Sequence, residues 1–598
     1  MPREAALGEP TAAFHGARSQ PSFTTRPTIA ARRGVVAAGH YLAAAAGLRI
    51  LQAGGNAIDA GVAAGLVVGL VEPHSNGLGG ESPLLIYHAK TGRVAAINGQ
   101  GTAPRAMTID WFRQRGIRLI PGDGLLPAMV PSQIANWITA LAEFGTLSFE
   151  AVATPALELA EDGFPVSYGL RQCLVANERR FREEWPSSAA VYLPGGRVPD
   201  WGDPLPNPDW AATLRQLIAA EREGARRGRA AGLDAACDAF YRGPIAARIA
   251  AFAQNTAIRD ATGAAHRGFL NETDLAEFHA RVEEPVTFHY RGIDVYKCGP
   301  WCQGPVFLQQ LALLEGFNLR ALGHNTADYL HVWLECAKLA FADREFYYGD
   351  PQFVDVPLGR LLSREYNDQR RNLVDMGKAS LALRPGDAGP RPARLILGEG
   401  SPDGHDTTHL DVIDAEGNMI AATPSGGWIP SSPVIPGIGF PLGTRGQMFS
   451  LDPEHPNRLE PGKRPRTTLT PSLAMHRDRP FLVWGTPGGD QQDQWTLQFF
   501  LNVVEFGMTV QQALDAPTAH TTHFPSSFYP RVAYPGQVVL EEGIPAVVCE
   551  ALRCRGHEVV IADRWANGRV MGILRDEARG VLFGGCSPRG EHGYAIGW

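Results

Sequence analysis

Cysteine is scarce in this chain: eight in 598 residues, at 173, 237, 298, 302, 336, 549, 554 and 586, with no CxxC pair. That density is too low for a disulfide scaffold, so the cysteines read as small buried hydrophobes in a reducing compartment. Long hydrophobic runs are missing too. The most apolar stretch, 60–71, has 12 residues bracketed by Asp59 and Glu72, short of the ~20 that a membrane helix needs. It predicts a core helix. No excess of positive charge exists either: 55 Lys+Arg against 62 Asp+Glu leaves −7, which argues against nucleic acid or an anionic membrane as partner. Residues 1–33 form a polar tail without an apolar run of signal-peptide length, so a soluble protein in the cytoplasm is expected. No P-loop, HExxH or GxSxG element occurs, and the 17 histidines show no ligand spacing with cysteine. No metal and no cofactor are therefore expected.

With 44% hydrophobic and 20% charged residues, the chain has a globular composition. Residues 41–71 are Ala-rich and helical in pattern, broken once by Gly54-Gly55-Asn56. Pro73 to Gly80 reads as a loop, and 82–87 with 94–97 flank a turn at Thr91-Gly92 as a strand pair. Leu330, Trp333, Leu334, Ala337 and Phe341 share one face of an expected amphipathic helix over 327–348. The charge cluster 221–229 reads as a solvated helix face. From 385 to 404, nine residues are Pro or Gly, which predicts a mobile linker. Strand patterns at 409–413 and 418–422 follow, joined by Asp414-Ala415-Glu416-Gly417 as a hairpin turn. A flexible segment feeding a first strand, with Asp406-Thr407-Thr408-His409 at the junction, suggests that a new chain end is made there.

At Asp406-Thr407 the sequence resembles the gamma-glutamyltranspeptidase family of N-terminal nucleophile hydrolases. The shared elements run in order: Gly54 to Ala60, Ala342-Asp343-Arg344, Tyr348-Gly349-Asp350-Pro351 and Thr407-Thr408-His409. Asp414 with Gly417-Asn418, Lys463-Arg464-Pro465 and Thr486-Pro487-Gly488-Gly489 complete the set. The resemblance implies an α+β fold, a four-layer αββα sandwich built from two segments of one precursor. The segments would be 34–384 and 407–598, joined by the linker 385–406 and separated by self-cleavage between Asp406 and Thr407. The resemblance also implies that Thr407 is the nucleophile, with its freed α-amine, of pKa near ~8, as base. Ser425, 18 positions on, would orient it. Gly488 and Gly489 would supply oxyanion amides, worth about 3–4 kcal/mol per donor, and Thr467 and Thr468 would face a substrate carboxylate. The implied partners are a small-molecule amide substrate and the two segments themselves.

Two family positions depart. The Arg that precedes an Ala-Pro pair is replaced in Gln100-Gly101-Thr102-Ala103-Pro104, and Phe449 follows Gln447-Met448 where the family has Asp. Losing two charged hydrogen bonds costs about 3–6 kcal/mol, or ~10²–10⁴ in kcat/KM. Arg445 is read either as a replacement carboxylate clamp or as a surface charge. Thr521-Thr522-His523 repeats the tripeptide with no Pro/Gly-rich segment before it and no hairpin after it, an internal control. The expected activity is that of a gamma-glutamyltransferase-like amide hydrolase or acyltransferase working through an acyl-Thr407 ester. Alternatives are an amidohydrolase of a small acid amide such as oxamate, a cephalosporin-type acylase, or a non-processing binding protein.

Overall fold

In the computed structural model the described residues are 23–389, 395, 397, 398, 407–590 and 592–598. Asp406 and most of the expected linker lie outside them. Two seven-stranded antiparallel sheets dominate. One runs Tyr594–Gly597, Gly34–Ala38, Leu410–Asp414, Met419–Ala422, Leu84–His88, Arg93–Asn98, Arg281–Glu283. The other runs Ile29–Ala31, Val581–Cys586, Met571–Asp576, Arg479–Gly485, Ser472–His476, Ile293–Lys297, Val286–Tyr290. Alternate side chains of each strand point to opposite faces. Val35, Ala37, Leu85, Ile413 and Ala421 of the first sheet accordingly meet Leu473, Val483 and Ile573 of the second in one core layer. The other faces carry helices: Tyr41–Gln52 and Ala57–Val71 on the first sheet, Gly304–Leu314 and Gln492–Val504 on the second. The result is the αββα sandwich.

Every residue of the helix Ala57–Val71 is buried, as its apolar run predicts. Asn56 and Asp59 close a capping box at its start, which satisfies amides that the first turn leaves free. The Asp59 carboxylate also accepts from Thr146 N (2.9 Å) and Leu147 N (3.1 Å), fastening a distant loop. Thr91-Gly92 turns between the strands Leu84–His88 and Arg93–Asn98 as expected, and Gly417 takes φ 87° in the hairpin turn.

Elsewhere tertiary packing overrides the local pattern. The helix Ala327–Tyr347 is buried almost all round rather than amphipathic, because His331, Glu335, Lys338, Asp343 and Arg344 are buried with hydrogen-bond partners. Glu221, expected on a solvated face, is buried and accepts from Phe149 N (2.6 Å) and Glu150 N (2.7 Å) at the start of the helix Phe149–Asp162. The cysteines are free, but Cys554 is exposed and Cys173 and Cys237 are half-buried. Residues 385–389, assigned to the linker by composition, are tied to the helix Ala327–Tyr347. Gly386 N donates to Asp343 (2.7 Å), and Tyr347 Oη donates to Gly386 O (2.6 Å).

The loop Gly77–Gly80 needs its glycines because another backbone passes against it. A Cβ on Gly79 would lie 1.8 Å from Pro441 O, and one on Gly80 2.1 Å from Ser425 O. Gly79→Ala should therefore lower the thermal midpoint by the equivalent of at least ~2 kcal/mol. Gly116→Ala, at φ 69° but with nothing within 4 Å, should cost only about 1 kcal/mol of backbone strain. Equal shifts in a thermal melt would contradict this packing.

Candidate active site

The hairpin between the strands Leu410–Asp414 and Met419–Ala422 pairs Leu410 with Ala422 and Asp411 with Ala421. Carried outward in the same register, it sets Thr407 opposite Ser425, where an antiparallel bridge joins them. The interval of 18 residues is thus cross-strand geometry, which brings side chains on one face together. Thr407 Oγ1 and Ser425 Oγ lie 3.0 Å apart, both buried. Thr408 N donates to Pro424 O (3.1 Å), and Gly39 N to His409 O (3.0 Å), so the segment is held from both sides.

Ser425 is bridged on its far side to Glu81. Each residue's backbone N–H donates to the other's carbonyl at 2.9 Å. Arg445 Nη2 donates to Ser425 Oγ at 2.8 Å, and the same guanidinium is ion-paired with the Glu81 carboxylate. Burial pushes the Glu81 carboxyl up and the Arg445 guanidinium down, each opposed by the partner's charge. Arg445 is thus not a surface charge: its Nε and Nη2 are engaged by Glu81 and Ser425, and its Nη1 lies 3.9 Å from Met448 Sδ.

On the other side of the threonine, Thr408 Oγ1 donates to Glu72 Oε2 at 2.6 Å. Burial raises the Glu72 carboxyl against the charge of Arg569. Arg569 Nη2 donates to Thr407 O (3.3 Å) while its backbone N donates to Thr486 Oγ1 (2.9 Å). That link ties Thr407 to the loop Thr486–Gly489. Gly488 and Gly489 sit at φ 119° and 57°, a region that favours glycine. A Cβ on them would meet the Trp495 ring at 2.2 Å and the Phe528 ring at 2.9 Å. Gln303 Nε2 donates to Gly489 O (3.4 Å) and Asp490 O (3.3 Å), fixing the direction of this peptide run.

Gln100 and the pair Thr467-Thr468 lie on adjoining segments. Arg464 Nε donates to Gln100 O (3.2 Å), and Ala103 N to Lys463 O (2.8 Å). All three residues are buried, and among the described residues neither amide atom of Gln100 nor Thr468 Oγ1 has a hydrogen-bond partner. Phe449 packs among Met107, Phe112, Leu126, Met129 and Leu459, an apolar cluster rather than an ammonium site. In the control tripeptide, Thr521 Oγ1 and Thr522 Oγ1 instead donate to the backbone carbonyl and side chain of Gln537, at 2.7 and 2.8 Å.

Sequence reasoning passed over Glu81, Glu72 and Arg569. Glu81 follows a glycine loop that read only as a turn, and its partner Arg445 is 364 positions away. Among the described residues, His331, Glu335 and His557 group metal-ligating atoms. His331 Nδ1 faces His557 Nε2 at 2.9 Å, Glu335 is paired with Lys338 (2.7 Å) and Arg384 (3.0 Å), and His557 Nδ1 has no hydrogen-bond partner among the described residues. No described helix is long and apolar enough to cross a membrane.

A family described as Gamma-glutamyltranspeptidase matches residues 43–597. The chain is 34% identical to the acylase ACY 1 proenzyme of Pseudomonas sp. (strain SE83), over 94% of this chain and 92% of that protein. Among solved structures, LmbA2991HD superposes with a TM-score of 0.91 at 45% identity, covering 96% of this chain and all of that one (100%). Cephalosporin acylase from Bacillus halodurans follows at TM-score 0.82 and 32% identity, covering 97% and 98%.

The packing of Phe449 yields a test. Phe449→Asp should not install an ammonium site but destabilise the protein, because a carboxylate placed in that cluster costs several kcal/mol, about 2–7 for an unpaired polar group. Denaturant unfolding checks this. A variant as stable as wild type would contradict the placement of Phe449.

Proposed function

The chain belongs to the gamma-glutamyltranspeptidase family, and on that premise we propose that it is a self-processed amide hydrolase or acyltransferase with Thr407 as nucleophile. Cleavage of the Asp406–Thr407 bond frees an α-amine beside the Thr407 hydroxyl. That amine, with a pKa near ~8, takes the hydroxyl proton as Oγ1 attacks the substrate amide carbonyl. The tetrahedral oxyanion is met by the Gly488 and Gly489 amides. The proton passes to the leaving amine, the C–N bond breaks, and an ester on Thr407 is left. Water or a second amine then attacks that ester, releasing acid or new amide and restoring the hydroxyl. The observation that carries this reading is the Thr407–Ser425 hydroxyl contact of 3.0 Å at the hairpin register, linked through Arg569 to Thr486, two residues before the glycine pair.

The acyl group is not a standard γ-glutamyl group. Gln100 and Phe449 supply neither charge that an α-amino acid head needs, and Arg445 is neutralised by Glu81. The residues we assign to the acyl side are neutral: the Gln100 amide and the hydroxyls of Thr467 and Thr468. An acyl chain of the cephalosporin type is the second reading, favoured by the similarity to acylases. The gamma-glutamyl anilide should accordingly be turned over ~10²–10⁴ less efficiently than by an enzyme that keeps both charges. Turnover at parity would contradict the reading.

Intact mass of the purified protein tests the nucleophile. Wild type should separate into chains of 406 and 192 residues, the smaller beginning Thr407-Thr408-His409. Thr407→Ser should still process, and Thr407→Ala should remain one chain of 598 residues. A processed Thr407→Ala protein would overturn the assignment.

A further inference from the structure

We propose that Arg445, anchored by Glu81, is a positioning residue that makes Ser425 the hydrogen-bond donor to Thr407 Oγ1 and so stabilises that oxygen as its proton leaves. The inference rests on Thr407 being the nucleophile. A guanidinium has N–H donors and no acceptor, so the 2.8 Å contact to Ser425 Oγ can only be a donation from Arg445. A serine hydroxyl has two lone pairs and one proton. With a cation donating into one lone pair, its O–H bond is polarised and becomes the better donor. Thr407 Oγ1, 3.0 Å away, is positioned to accept. A developing alkoxide there is then met by a hydroxyl backed by positive charge, the arrangement in which charge-assisted hydrogen bonds gain strength.

The surroundings keep this chain of bonds dry and fixed. Glu81, Ser425 and Arg445 are 3%, 0% and 1% exposed. The Trp428 and Phe528 rings cover the guanidinium with centroids at 4.8 and 5.6 Å from Arg445 Cζ, an attraction that also holds its position. Glu81 and Ser425 exchange both backbone hydrogen bonds, so the anchor and the hydroxyl ride on one bridge. Gly426, at φ 72°, leaves room for the carboxylate: a Cβ there would sit 2.5 Å from Glu81 Oε2. The charges of the Glu81–Arg445 pair cancel, which makes it unsuited to holding a charged substrate group and suited to orienting a hydroxyl.

A double-mutant cycle tests this, read by the rate at which p-nitrophenyl acetate acetylates residue 407. In that step the ester C–O bond breaks, p-nitrophenolate leaves and the acetyl group joins Thr407 Oγ1. Arg445→Lys should slow acetylation by about 10–100-fold, the loss expected for a hydrogen bond to a charged group. In a Ser425→Ala background the same change should cost less than about twofold, because a residue acting through Ser425 loses its effect when Ser425 is gone. Glu81→Gln, which keeps the shape of the anchor, should behave likewise. The same factor in both backgrounds, for either substitution, would overturn the proposal. A cooperative thermal transition in each variant separates this from misfolding, and where Arg445→Lys lacks one, the Glu81→Gln cycle decides. Wild type that is not acetylated at residue 407 refutes the nucleophile itself rather than the role of Arg445.

Discussion

The antiparallel register of one hairpin is the constraint on which the rest of the molecule depends. Pairing Leu410 with Ala422 obliges the residues three steps further out, Thr407 and Ser425, to face each other. Two hydroxyls then meet at the head of a strand that is interior to its sheet. A slip of one residue would turn Thr407 to the opposite face, so the flanking strand Gly34–Ala38 fixes chemistry as well as shape. The turn that closes the hairpin is fastened too. Asp414 accepts from Asn418 N and from Ala57 N, each at 2.8 Å, linking the turn to the start of the buried helix Ala57–Val71.

That topology would also hold together a chain cut before Thr407, as proposed. The strand Leu410–Asp414 lies between Gly34–Ala38 and Met419–Ala422, and Leu84–His88 comes next. Strands from before and after residue 407 interleave in both sheets, and all three large apolar clusters draw on both sides. Hydrophobic burial at about 25 cal/mol per Å² over such layers far exceeds the cost of one lost peptide bond as a tether. The site is composite in the same way. Glu72, Glu81 and Gln100 come from one segment, Thr407, Ser425, Arg445 and Gly488-Gly489 from the other.

Features carried by short spacings were legible in the sequence. The hairpin and its glycine turn could be read from neighbouring residues, whereas the Thr407–Ser425 interval and the departures at Gln100 and Phe449 came only from the family resemblance. Features carried by long-range pairing were not. Arg445 is intelligible only with Glu81, which no local pattern connects to it. The helix Ala327–Tyr347 looked amphipathic because its polar residues were counted as solvated, whereas buried partners satisfy them. Glu221 was misread for the same reason: it caps a helix that starts 72 residues earlier. Composition likewise did not show that Gly386, in the segment read as a linker, is held by Asp343 and Tyr347.

The central claim is that residue 407 carries the acyl group. Acid quenching during turnover of an activated ester, followed by peptide mapping of the smaller chain, reads this directly. The account predicts a single acyl group on the peptide that begins at Thr407, and none on Ser425 or Thr408. An acyl group on Ser425 or Thr408, or a smaller chain that turns over the ester with residue 407 unmodified, would contradict it.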